Sequence, residues 1–562
     1  MPRSKHLFSI CLFILGSMLL AACKETAKTV QKDLRLALSE EFTGLDPALA
    51  VNQTSIQLVD EVTVGLTRQN EQTAQNELAM ATGYKVSEDG RVYTFAIRDD
   101  VPWVQWDASR NKVVYARDCA NQPRKVSAYD FEYGMRRTMT PATGAEYAFL
   151  QGLVIEGAQA FINGETEDFN TVGVKALDAK TLEIRFKEPA AYNLSIAGLW
   201  FNHAMPRWLI EGDECTQGRG ELWTDDEFFQ SYGPFVLKQH IPNKRITMAR
   251  NPFWPGTDVV PSPKLNSITW EYMPPSAALA EFEEGNLDVT GFPPDEYERM
   301  MTHPEYSRWL YPTRDLGTEF YSFNTQLAPT DDVRVRRALS MAIDRNILVQ
   351  VSKSGIVAPY FCNPGATGCP QLDDYYNLGI KYDLTSAQHL LQSYLNETGQ
   401  TAEQLKIVLM YNTSENNKLR AETVINMWKY ALGVNADLVS QDWTDYKNTR
   451  KEGKENVYRS SWVQDYPDAN NFLKEVFATG GAYSDVVDWN SPEFDALCAQ
   501  AALEIDPAAR MALYASAEKI LVEEQAVIAP LIWYSDWVIV RPSVKAPVSI
   551  TGYNRYEKWE IR

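Results

Sequence analysis

Residues 407–439 read IVLMYNTSENNKLRAETVINMWKYALGVNADLV and indicate the fold class most clearly. The continuous apolar run Ile407–Met410 predicts a buried strand. A helical pattern follows over about 418–432, and Gly433 stands where a helix commonly ends. Residues 434–439 then predict a second strand. Because strand–helix–strand units build parallel sheets covered by helices, we expect an α/β fold.

Other segments support the same mixture of elements. Residues 182–187 and 268–272 alternate strictly between apolar and polar residues, which predicts half-buried strands. Asp331 or Asp332 is placed to cap one helix, and Asp506, which is followed by proline, is placed to cap another. Capping alone explains these carboxylates, so none of them needs a functional role.

The composition limits the function classes. The 562 residues correspond to three or four domains' worth of chain, and 45% of them are hydrophobic, as in ordinary globular proteins. The formal net charge of -20 disfavours nucleic-acid binding, which depends on Lys and Arg neutralising phosphates. Aromatic residues make up 12% of the chain, which indicates an aromatic-rich core or a site that holds its ligand between rings.

The N-terminus has the features of an export signal. Basic residues precede an apolar run from Leu7 to Leu20 that is too short to span a bilayer comfortably. The run ends in Leu-Ala-Ala-Cys, which looks like a bacterial lipobox in which Cys23 is lipidated. We therefore expect a signal peptide at 1–22, a lipidated Cys and tether at 23–33, and an extracytoplasmic protein held to the membrane by lipid. The alternative is an ordinary signal peptide cleaved at the same place.

Export would allow the remaining cysteines to form disulfides, because disulfides persist outside the cytoplasm. Cys362 and Cys369 flank a turn-rich loop that a local disulfide could close. Cys119 and Cys215 lie in polar stretches and could pair with each other, although the sequence leaves the connectivity open. Cys498 falls on a predicted helix and is interpreted as a small core residue.

Motifs of enzymatic chemistry are missing from the sequence. It contains no Gly-x-Ser-x-Gly elbow, no His-Glu-x-x-His pair and no Gly-x-x-x-x-Gly-Lys phosphate loop. The histidines outside the signal peptide, His203, His240, His303 and His389, share no metal-ligand spacing. We therefore predict neither a cofactor nor a metal site. The export signal together with the absence of such motifs favours a binding protein over an enzyme.

Short motifs that occur in a fixed order cover nearly the whole mature chain. In the C-terminal half they are Asp332–Arg336, Tyr411–Ser414, Gln441–Trp443 through Asn448–Arg450, and Arg459–Tyr466. Weaker matches in the N-terminal half are Gly44–Pro47, Tyr93–Arg98, Gly233–Phe235 and Arg250–Trp254. This ordered set resembles the bacterial periplasmic oligopeptide-binding proteins, which are the extracytoplasmic solute-binding family 5 of ABC transporters.

The resemblance implies a two-lobed periplasmic-binding-protein fold of type II, cluster C, with an accessory domain. Lobe I would comprise 34–63 with 207–316 and 536–562, the accessory domain 64–206, and lobe II 317–535. The lobes would close over a short peptide that lies extended between them and pairs with the protein backbone. The implied partners of this monomer are short peptides and the permease subunits of an ABC transporter, with no nucleic acid.

The resemblance also implies ligand-binding residues. Asp465 matches a carboxylate that pairs with the α-ammonium group of the peptide, and Arg459 and Arg450 match positions that face its C-terminal carboxylate. Four aromatic residues match pocket walls: Trp443, Trp462, Tyr534 and Tyr147. The structural alternatives are a solvated turn aspartate, arginines in ion pairs, and aromatic rings in the core.

The chain departs from the family pattern at several positions. Asn417 stands where close relatives can carry a histidine that meets the ligand's C-terminus, so the preferred peptide length is open. Gly317 and Val463 occupy two positions that form a cysteine pair in some relatives. The stretch 111–125, which contains Cys119, is an insertion without a recognised counterpart.

Two other hypotheses remain open at this level. The first keeps the fold but changes the ligand, because relatives also bind nickel complexes, haem, opines or sugars. The second is an exported carbohydrate hydrolase, since paired catalytic carboxylates are neighbours in space and leave no sequence motif.

Overall fold

The computed structural model describes residues 32–39, 42–547 and 549–562. The predicted signal peptide, the lipidation site at Cys23 and nearly all of the predicted tether lie outside these residues. Among the described residues, no helix combines the length and the apolar character needed to cross a membrane. The described chain is a mixture of helices and strands, which confirms the α/β prediction.

One large sheet runs through most of the described chain, and its strands come from distant parts of the sequence. Strands and helices are numbered in chain order. In spatial order the strands are β11 (Phe235–Ile241), β12 (Arg245–Arg250), β13 (Ser267–Tyr272), β1 (Asp33–Leu38), β14 (Val289–Thr290), β20 (Ile528–Val540), β15 (Leu310–Phe323), β19 (Val457–Val463), β17 (Ile407–Asn412) and β18 (Ala436–Gln441), with β16 (Ile356–Val357) beside β20.

Smaller sheets lie outside the large one. A four-stranded sheet has the order β4 (Ala81–Val86), β5 (Val92–Ile97), β9 (Thr181–Arg185) and β8 (Val174–Asp178). A three-stranded sheet has the order β10 (Gln230–Ser231), β6 (Val104–Asp107) and β7 (Lys112–Tyr115). Two strand pairs are β2 (Thr67–Gln69) with β3 (Asn76–Leu78), and β21 (Val544–Lys545) with β22 (Glu560–Ile561).

The α-helices fall into two groups along the chain. Those before β15 are α1 (Gln53–Val62), α2 (Ala128–Met139), α3 (Ala148–Val154), α4 (Ala158–Ile162), α5 (Asn193–Ala197), α6 (Arg207–Ile210), α7 (Pro275–Glu284) and α8 (Tyr297–Thr302). Those after β15 are α9 (Val333–Met341), α10 (Arg345–Ser352), α11 (Leu384–Thr398), α12 (Glu415–Leu432), α13 (Trp443–Lys451), α14 (Ala469–Phe472), α15 (Lys474–Phe477), α16 (Ser484–Val487), α17 (Pro492–Leu503) and α18 (Pro507–Glu518).

The predicted strand–helix–strand unit is confirmed. Strands β17 and β18 are parallel neighbours, and α12 connects them. The helix begins a few residues earlier than the apolar pattern suggested, because the Ser414 side chain accepts a hydrogen bond from the Asn417 backbone N–H at 3.1 Å and so caps it. It ends at Gly433, whose φ of 72° is the left-handed conformation typical of this position.

The other local predictions are also confirmed. Residues 182–187 and 268–272 coincide closely with β9 and β13. Of the two candidate caps for α9, the structure uses Asp332, whose side chain accepts from the Arg334 N–H at 2.8 Å. Asp506 caps α18 through the Ala509 N–H at 2.8 Å.

Two long strands, β15 and β20, join the two halves of the large sheet. They pair with each other in antiparallel fashion along both ends, but their register shifts between Arg314 and Thr318 of β15. The predicted boundaries between lobes I and II, at 316/317 and 535/536, fall inside these two strands at the level of the shift. The chain therefore passes between the predicted lobes where the pairing is irregular.

Buried apolar side chains form separate cores. One cluster combines residues of predicted lobe I, such as Ile268, with residues of the predicted accessory domain, such as Trp103 and Phe131. Two other clusters, around Phe361 and Trp428, belong to the segment assigned to lobe II. The accessory stretch thus shares its core with lobe I, and the exact domain limits remain a prediction.

The described residues contain two disulfides, Cys119–Cys215 and Cys362–Cys369, and a buried free thiol at Cys498 in α17. The first bridge links the insertion 111–125, which forms β7 and the loop after it, to the loop that follows α6. The insertion is therefore fastened to the second segment of predicted lobe I, 207–316.

Candidate functional site

Asp465 lies in the turn between β19 and α14 and is only 6% exposed. Its carboxylate accepts hydrogen bonds from the Tyr147 hydroxyl at 3.2 Å and from the Asn471 side-chain amide at 3.0 Å. Burial raises the pKa of this carboxyl to about 7, although both hydrogen bonds act in the opposite direction. The carboxylate is thus shielded from water, and the two neutral groups that donate to it do not balance its charge.

Tyr147 brings this carboxylate into contact with the other side of the cleft. It belongs to the predicted accessory domain, whereas Asp465 belongs to predicted lobe II, so their hydrogen bond crosses between the lobes. The Tyr147 ring packs against Trp200 and Phe201, with ring centroids 4.6 and 5.5 Å away. Two of the residues predicted from the sequence are therefore in direct contact.

A second buried carboxylate supports the first one. Asn471 donates to Asp465 and also to Glu475, at 2.8 Å, and Glu475 accepts a further hydrogen bond from the Tyr466 hydroxyl. Burial raises the pKa of Glu475 to about 8. This network fixes the orientation of Asp465 from behind.

Arg459 lies in a buried charge cluster. One oxygen of Glu319, a residue with no exposed surface, accepts from Arg459 at 2.7 Å and from Arg420 at 3.1 Å. The Tyr534 hydroxyl accepts a second bond from Arg459, at 2.7 Å. Burial disfavours the ionised form of Glu319, but the two arginines outweigh this effect and hold its pKa below the usual value. We call Glu319, Arg420 and Arg459 the charge cluster.

Arg450 is buried among aromatic side chains. Its guanidinium donates to the Tyr483 hydroxyl at 2.8 Å and lies 4.6 and 5.6 Å from the ring centroids of Tyr483 and Tyr446. Its Nε has no hydrogen-bond partner within the described part of the chain. Arg450 is therefore a desolvated cation held by rings, and its predicted contact with a ligand carboxylate stays a prediction.

The predicted aromatic residues divide between cleft and core. Tyr534 is bonded to the charge cluster, and Tyr147 to Asp465. Trp462 lies on the opposite face of β19 from Arg459, because side chains alternate along a strand, and it is packed in the cluster around Phe361. Its indole N–H donates to Asn471 at 3.0 Å, so it supports the residue that holds Asp465.

Trp443 is half-buried at the start of α13 and stacks on Tyr446, with ring centroids 6.2 Å apart. Its indole N–H has no hydrogen-bond partner among the described residues. Tyr446 in turn donates its hydroxyl to the backbone carbonyl of Arg459. Trp443 thus stands one residue away from the charge cluster.

The departures noted in the sequence have structural counterparts. Gly317 and Val463 are directly opposite each other in the antiparallel pair β15–β19. A β-carbon on Gly317 would lie 2.8 Å from the Tyr534 ring and 2.9 Å from the Val463 side chain, so the site has room only for glycine unless neighbours move. Asn417 is buried and donates to Asn412, which also accepts from Arg459 at 3.3 Å.

Two cavities lie between the predicted lobes. The one beside Asp465 has a volume of about 40 Å³, and its other walls include Arg68, His203, Tyr553 and Arg555. The second, of about 300 Å³, is lined by residues of both lobes: Tyr297, Val349, Gln350, Lys353, Ser354, Gly355, Ser535 and Trp537. Ser354 accepts a hydrogen bond from Arg420 at 2.6 Å, so the larger cavity adjoins the charge cluster.

The lobes are in contact around these cavities. Glu146, on the accessory side, forms ion pairs with Lys447 at 3.0 Å and with Lys451 at 3.2 Å on α13. Tyr192 stacks on Tyr466 with ring centroids 5.5 Å apart. The chain is therefore in an arrangement in which the two sides of the cleft meet.

Sequence reasoning missed Glu319, Arg420, Asn471 and Glu475. One signal was available for Glu319, because a charged residue inside the strand Gly317–Phe323 needs a buried partner. No local pattern identified the others.

Two relatives with solved structures are informative. The chain is 31% identical over 563 residues to the periplasmic murein peptide-binding protein MppA of Escherichia coli, covering 96% of each chain. Its structure matches that of the E. coli murein tripeptide binding protein MppA with a TM-score of 0.81, over 94% of this chain and 98% of the other. It matches Haemophilus influenzae OppA in complex with RPPGFSPFR with a TM-score of 0.80 at 25% identity, over 95% and 99% of the two chains.

The comparison also reports on lobe closure. The TM-score falls to 0.64 against the unliganded open form of MppA. The coverage is nearly unchanged, at 95% of this chain and 98% of the other. Because the sequence identity is 29% in both MppA comparisons, the difference lies in how the parts are arranged. The arrangement of the present chain thus differs from the open form, in agreement with the contacts across its cleft.

These similarities confirm the two-lobed periplasmic-binding-protein fold and the resemblance drawn from the ordered motifs. The sequence profile described as "Bacterial extracellular solute-binding proteins, family 5 Middle" matches residues 76–484, which is well over half of the chain. The relatives are substrate-binding proteins, not enzymes. The chain belongs to the bacterial extracellular solute-binding proteins of family 5.

Proposed function

We propose that this protein captures short peptides in the cleft between its lobes and delivers them to the permease of an ABC transporter. Binding would use both ends of the peptide, with Asp465 pairing with the α-ammonium group and Arg459 with the C-terminal carboxylate. One observation carries the proposal. The buried guanidinium of Arg459 lies on β19, and the buried carboxylate of Asp465 lies just past the end of the same strand.

The ammonium end is supported by the surroundings of Asp465. Its hydrogen-bond donors in the structure are neutral, namely the Tyr147 hydroxyl and the Asn471 amide. Burial without a balancing cation is costly for a carboxylate, as the raised pKa shows. An ammonium group that arrives between the lobes would remove this cost and would add charge-assisted hydrogen bonds.

The spacing of the two ends fits a short peptide. Arg459 and Asp465 are six residues apart, and at the rise of an extended strand this spans at most about 20 Å. The long arginine side chain shortens the distance that the ligand must cover. An extended peptide of about three to five residues would bridge the remainder. The exposed edge of its backbone could pair with the protein as an added strand.

The relatives agree with this ligand class. MppA is a murein peptide-binding protein and OppA is an oligopeptide-binding protein, so both have ligands with peptide bonds. The family also leaves room for a non-peptide solute such as a nickel complex, haem, an opine or a sugar. For the present chain, a site with one anionic and one cationic end favours a zwitterion, which a peptide is.

The place of action completes the proposal. Lipidation at Cys23 would keep the protein at the outer surface of the cytoplasmic membrane or at the cell surface, and residues 24–33 would tether it. The lobes would carry the peptide to the permease as a monomer. Replacing Cys23 with Ser should release the protein from membranes in a detergent-phase partitioning assay.

Calorimetry with one peptide in three forms tests the binding mode. The free tripeptide should bind, whereas its N-acetylated and C-amidated forms should each bind at least tenfold more weakly, because each lacks one charged end. Equal affinity of all three forms would refute end recognition. Native mass spectrometry of freshly purified protein provides the check on ligand class, since a co-purified haem, nickel complex or sugar would overturn the peptide proposal.

A further inference from the structure

The charge cluster contains more positive than negative charge. Glu319 is the carboxylate that both Arg420 and Arg459 contact, and both arginines contact the same oxygen of it. Its other oxygen has no hydrogen-bond partner among the described residues, and the same holds for the Nε atoms of both arginines. A cluster of two guanidinium groups and one carboxylate has a net charge of one, and all three groups are almost completely buried.

The contacts of Arg420 are with protein side chains on one side of the cluster. It donates to Glu319 and to Ser354, and its side chain is 6% exposed, so it is enclosed on the α12 side of the cluster. Arg420 favours the ionised form of Asp536 on β20, although burial raises the pKa of that carboxyl overall. Lys353, which lines the adjoining cavity, is paired with Glu298 at 3.2 Å. Arg420 is therefore enclosed by protein groups on its side of the cluster, whereas Arg459 contacts only neutral oxygens besides Glu319 among the described residues.

Arg459 keeps donors that a ligand can take. Within the described parts of the chain, one of its terminal nitrogens makes only long contacts, at 3.3 Å to the Asn412 side chain and at 3.4 Å to the Ser461 hydroxyl. Both acceptors are neutral oxygens, which a carboxylate outcompetes as a partner for guanidinium. The bond between Arg459 and Glu319, in contrast, is short and uses the other nitrogen.

We propose that Arg420 is a positioning residue for the ligand: by sharing Glu319, it leaves Arg459 with a charge that only the carboxylate of a bound peptide neutralises. This inference rests on the proposed function and adds a specificity determinant to it. Without Arg420, Glu319 would satisfy Arg459 completely, and the cleft would lose its preference for peptides with a free C-terminus. Preference for a free carboxylate therefore follows the net charge of the cluster, not the presence of Arg459 alone.

The test uses the ratio of two affinities, measured by calorimetry for a C-amidated tripeptide and for the same peptide with a free C-terminus. In the wild-type protein we expect the free acid to bind about 10- to 100-fold more tightly. Arg420→Gln should reduce this ratio to about threefold or less, mainly by weakening the free acid. The double variant with Glu319→Gln restores the net charge and should restore the ratio. Arg420→Lys, which keeps the charge, should retain it.

Two controls separate positioning from a structural effect. Arg334→Gln removes a partly exposed arginine of α9 that pairs with Asp332 and Glu397, and it should leave the ratio unchanged. If Arg420→Gln does not fold, Glu319→Gln tests the idea from the opposite side, because it raises the cluster charge and should increase the ratio several-fold. Thermal melting of each variant without ligand reports folding independently.

The outcomes are distinct. A folded Arg420→Gln variant that keeps the full ratio, or a double variant that does not recover it, overturns the role of Arg420 while end recognition stands. A Glu319→Gln variant with a lower ratio of free-acid to amidated affinity also overturns the role of Arg420. Wild-type protein that binds neither peptide overturns the proposed function itself, and the positioning role with it.

Discussion

Replacing Asp465 with Asn should strongly weaken peptide binding and, at the same time, stabilise the empty protein. The substitution keeps the shape of the side chain and an oxygen that can accept from Asn471, but it removes the negative charge. It therefore separates the charge from the packing. We expect both effects because the same burial that makes the carboxylate costly in the empty protein strengthens its attraction for an ammonium group.

The loss of affinity can be worked out from the site. Removing one partner of a buried, hydrogen-bonded charge pair costs about 3 kcal/mol, within a range of roughly 2 to 5 kcal/mol. At pH 7 a carboxyl whose pKa is about 7 is half protonated, which reduces the wild-type advantage by about 0.4 kcal/mol. The remaining ~2.5 kcal/mol corresponds to an increase in Kd of about 70-fold. At pH 8 the increase should approach 150-fold, because Asp465 is then mostly ionised before the ligand arrives.

The gain in stability has the opposite pH dependence from ordinary acid denaturation. The pKa of Asp465 rises from 3.8 to about 7 on folding, so the folded protein binds the proton more tightly than the unfolded chain. The wild-type protein therefore loses up to about 4 kcal/mol as the pH rises from 4 to above 7, at 1.36 kcal/mol per pKa unit. Asn does not titrate, so Asp465→Asn should melt a few degrees higher at pH 8 and at nearly the same temperature at pH 4.5.

Calorimetry with free and N-acetylated tripeptides, combined with melting curves at both pH values, provides the assay. In the wild-type protein the free peptide should bind far more tightly, and in Asp465→Asn the two peptides should become similar. Equal losses for both peptides would show that Asp465 shapes the site without contacting the ammonium group. A lower melting temperature of the variant at pH 8 would refute the electrostatic argument.

Three further predictions concern closure and stability. Glu146→Gln removes both ion pairs with α13 and should weaken peptide binding by no more than about fivefold. Titrations at two ionic strengths should show that this difference vanishes in high salt, because salt screens exposed charges. A loss of affinity that persists in high salt would contradict this explanation. The double variant Cys119→Ser with Cys215→Ser removes a disulfide between residues 96 positions apart. Denaturant titration should show an unfolding free energy lower by about 2 to 4 kcal/mol, while the affinity for peptides should stay within twofold of the wild-type value. Asp506→Ala removes the cap of α18 and should cost about 1 kcal/mol by the same titration, whereas an unchanged midpoint would mean that the helix does not depend on this cap.

The local elements could be predicted because their signals are local. The parallel pair β17–β18 follows from an apolar run, a capped helix and a second strand within about thirty residues. Asp465 was found through a contiguous motif, and its environment could not be predicted because Tyr147 reaches it from more than 300 positions away. Trp462 lies on the face of β19 opposite Arg459 and packs in the cluster around Phe361, so its role as a pocket wall stays a prediction.

The charge cluster lay beyond sequence reasoning for a different reason. Glu319 and Arg420 are 101 positions apart, and they meet because β15 pairs with β19 while α12 packs against the same face of the sheet. Either residue alone has an ordinary explanation, as a strand carboxylate or a helix arginine. Only the three-dimensional pairing shows that two guanidinium groups share a single carboxylate, and the proposed recognition of the ligand's carboxylate rests on this imbalance.

The register shift between β15 and β20 has a mechanical consequence. The two strands pair on both sides of it, with a smaller second irregularity between Glu319 and Phe320, so we expect a flexure, where bending concentrates, between Arg314 and Thr318. Tyr534 lies on β20 opposite this flexure, and its hydroxyl is held by Arg459 and Glu319. A small rotation at the flexure therefore alters the bonds of the cluster that would sense the ligand's charge. If the lobes rotate about this flexure, a ligand that neutralises the proposed sensing cluster would also act on the angle between them.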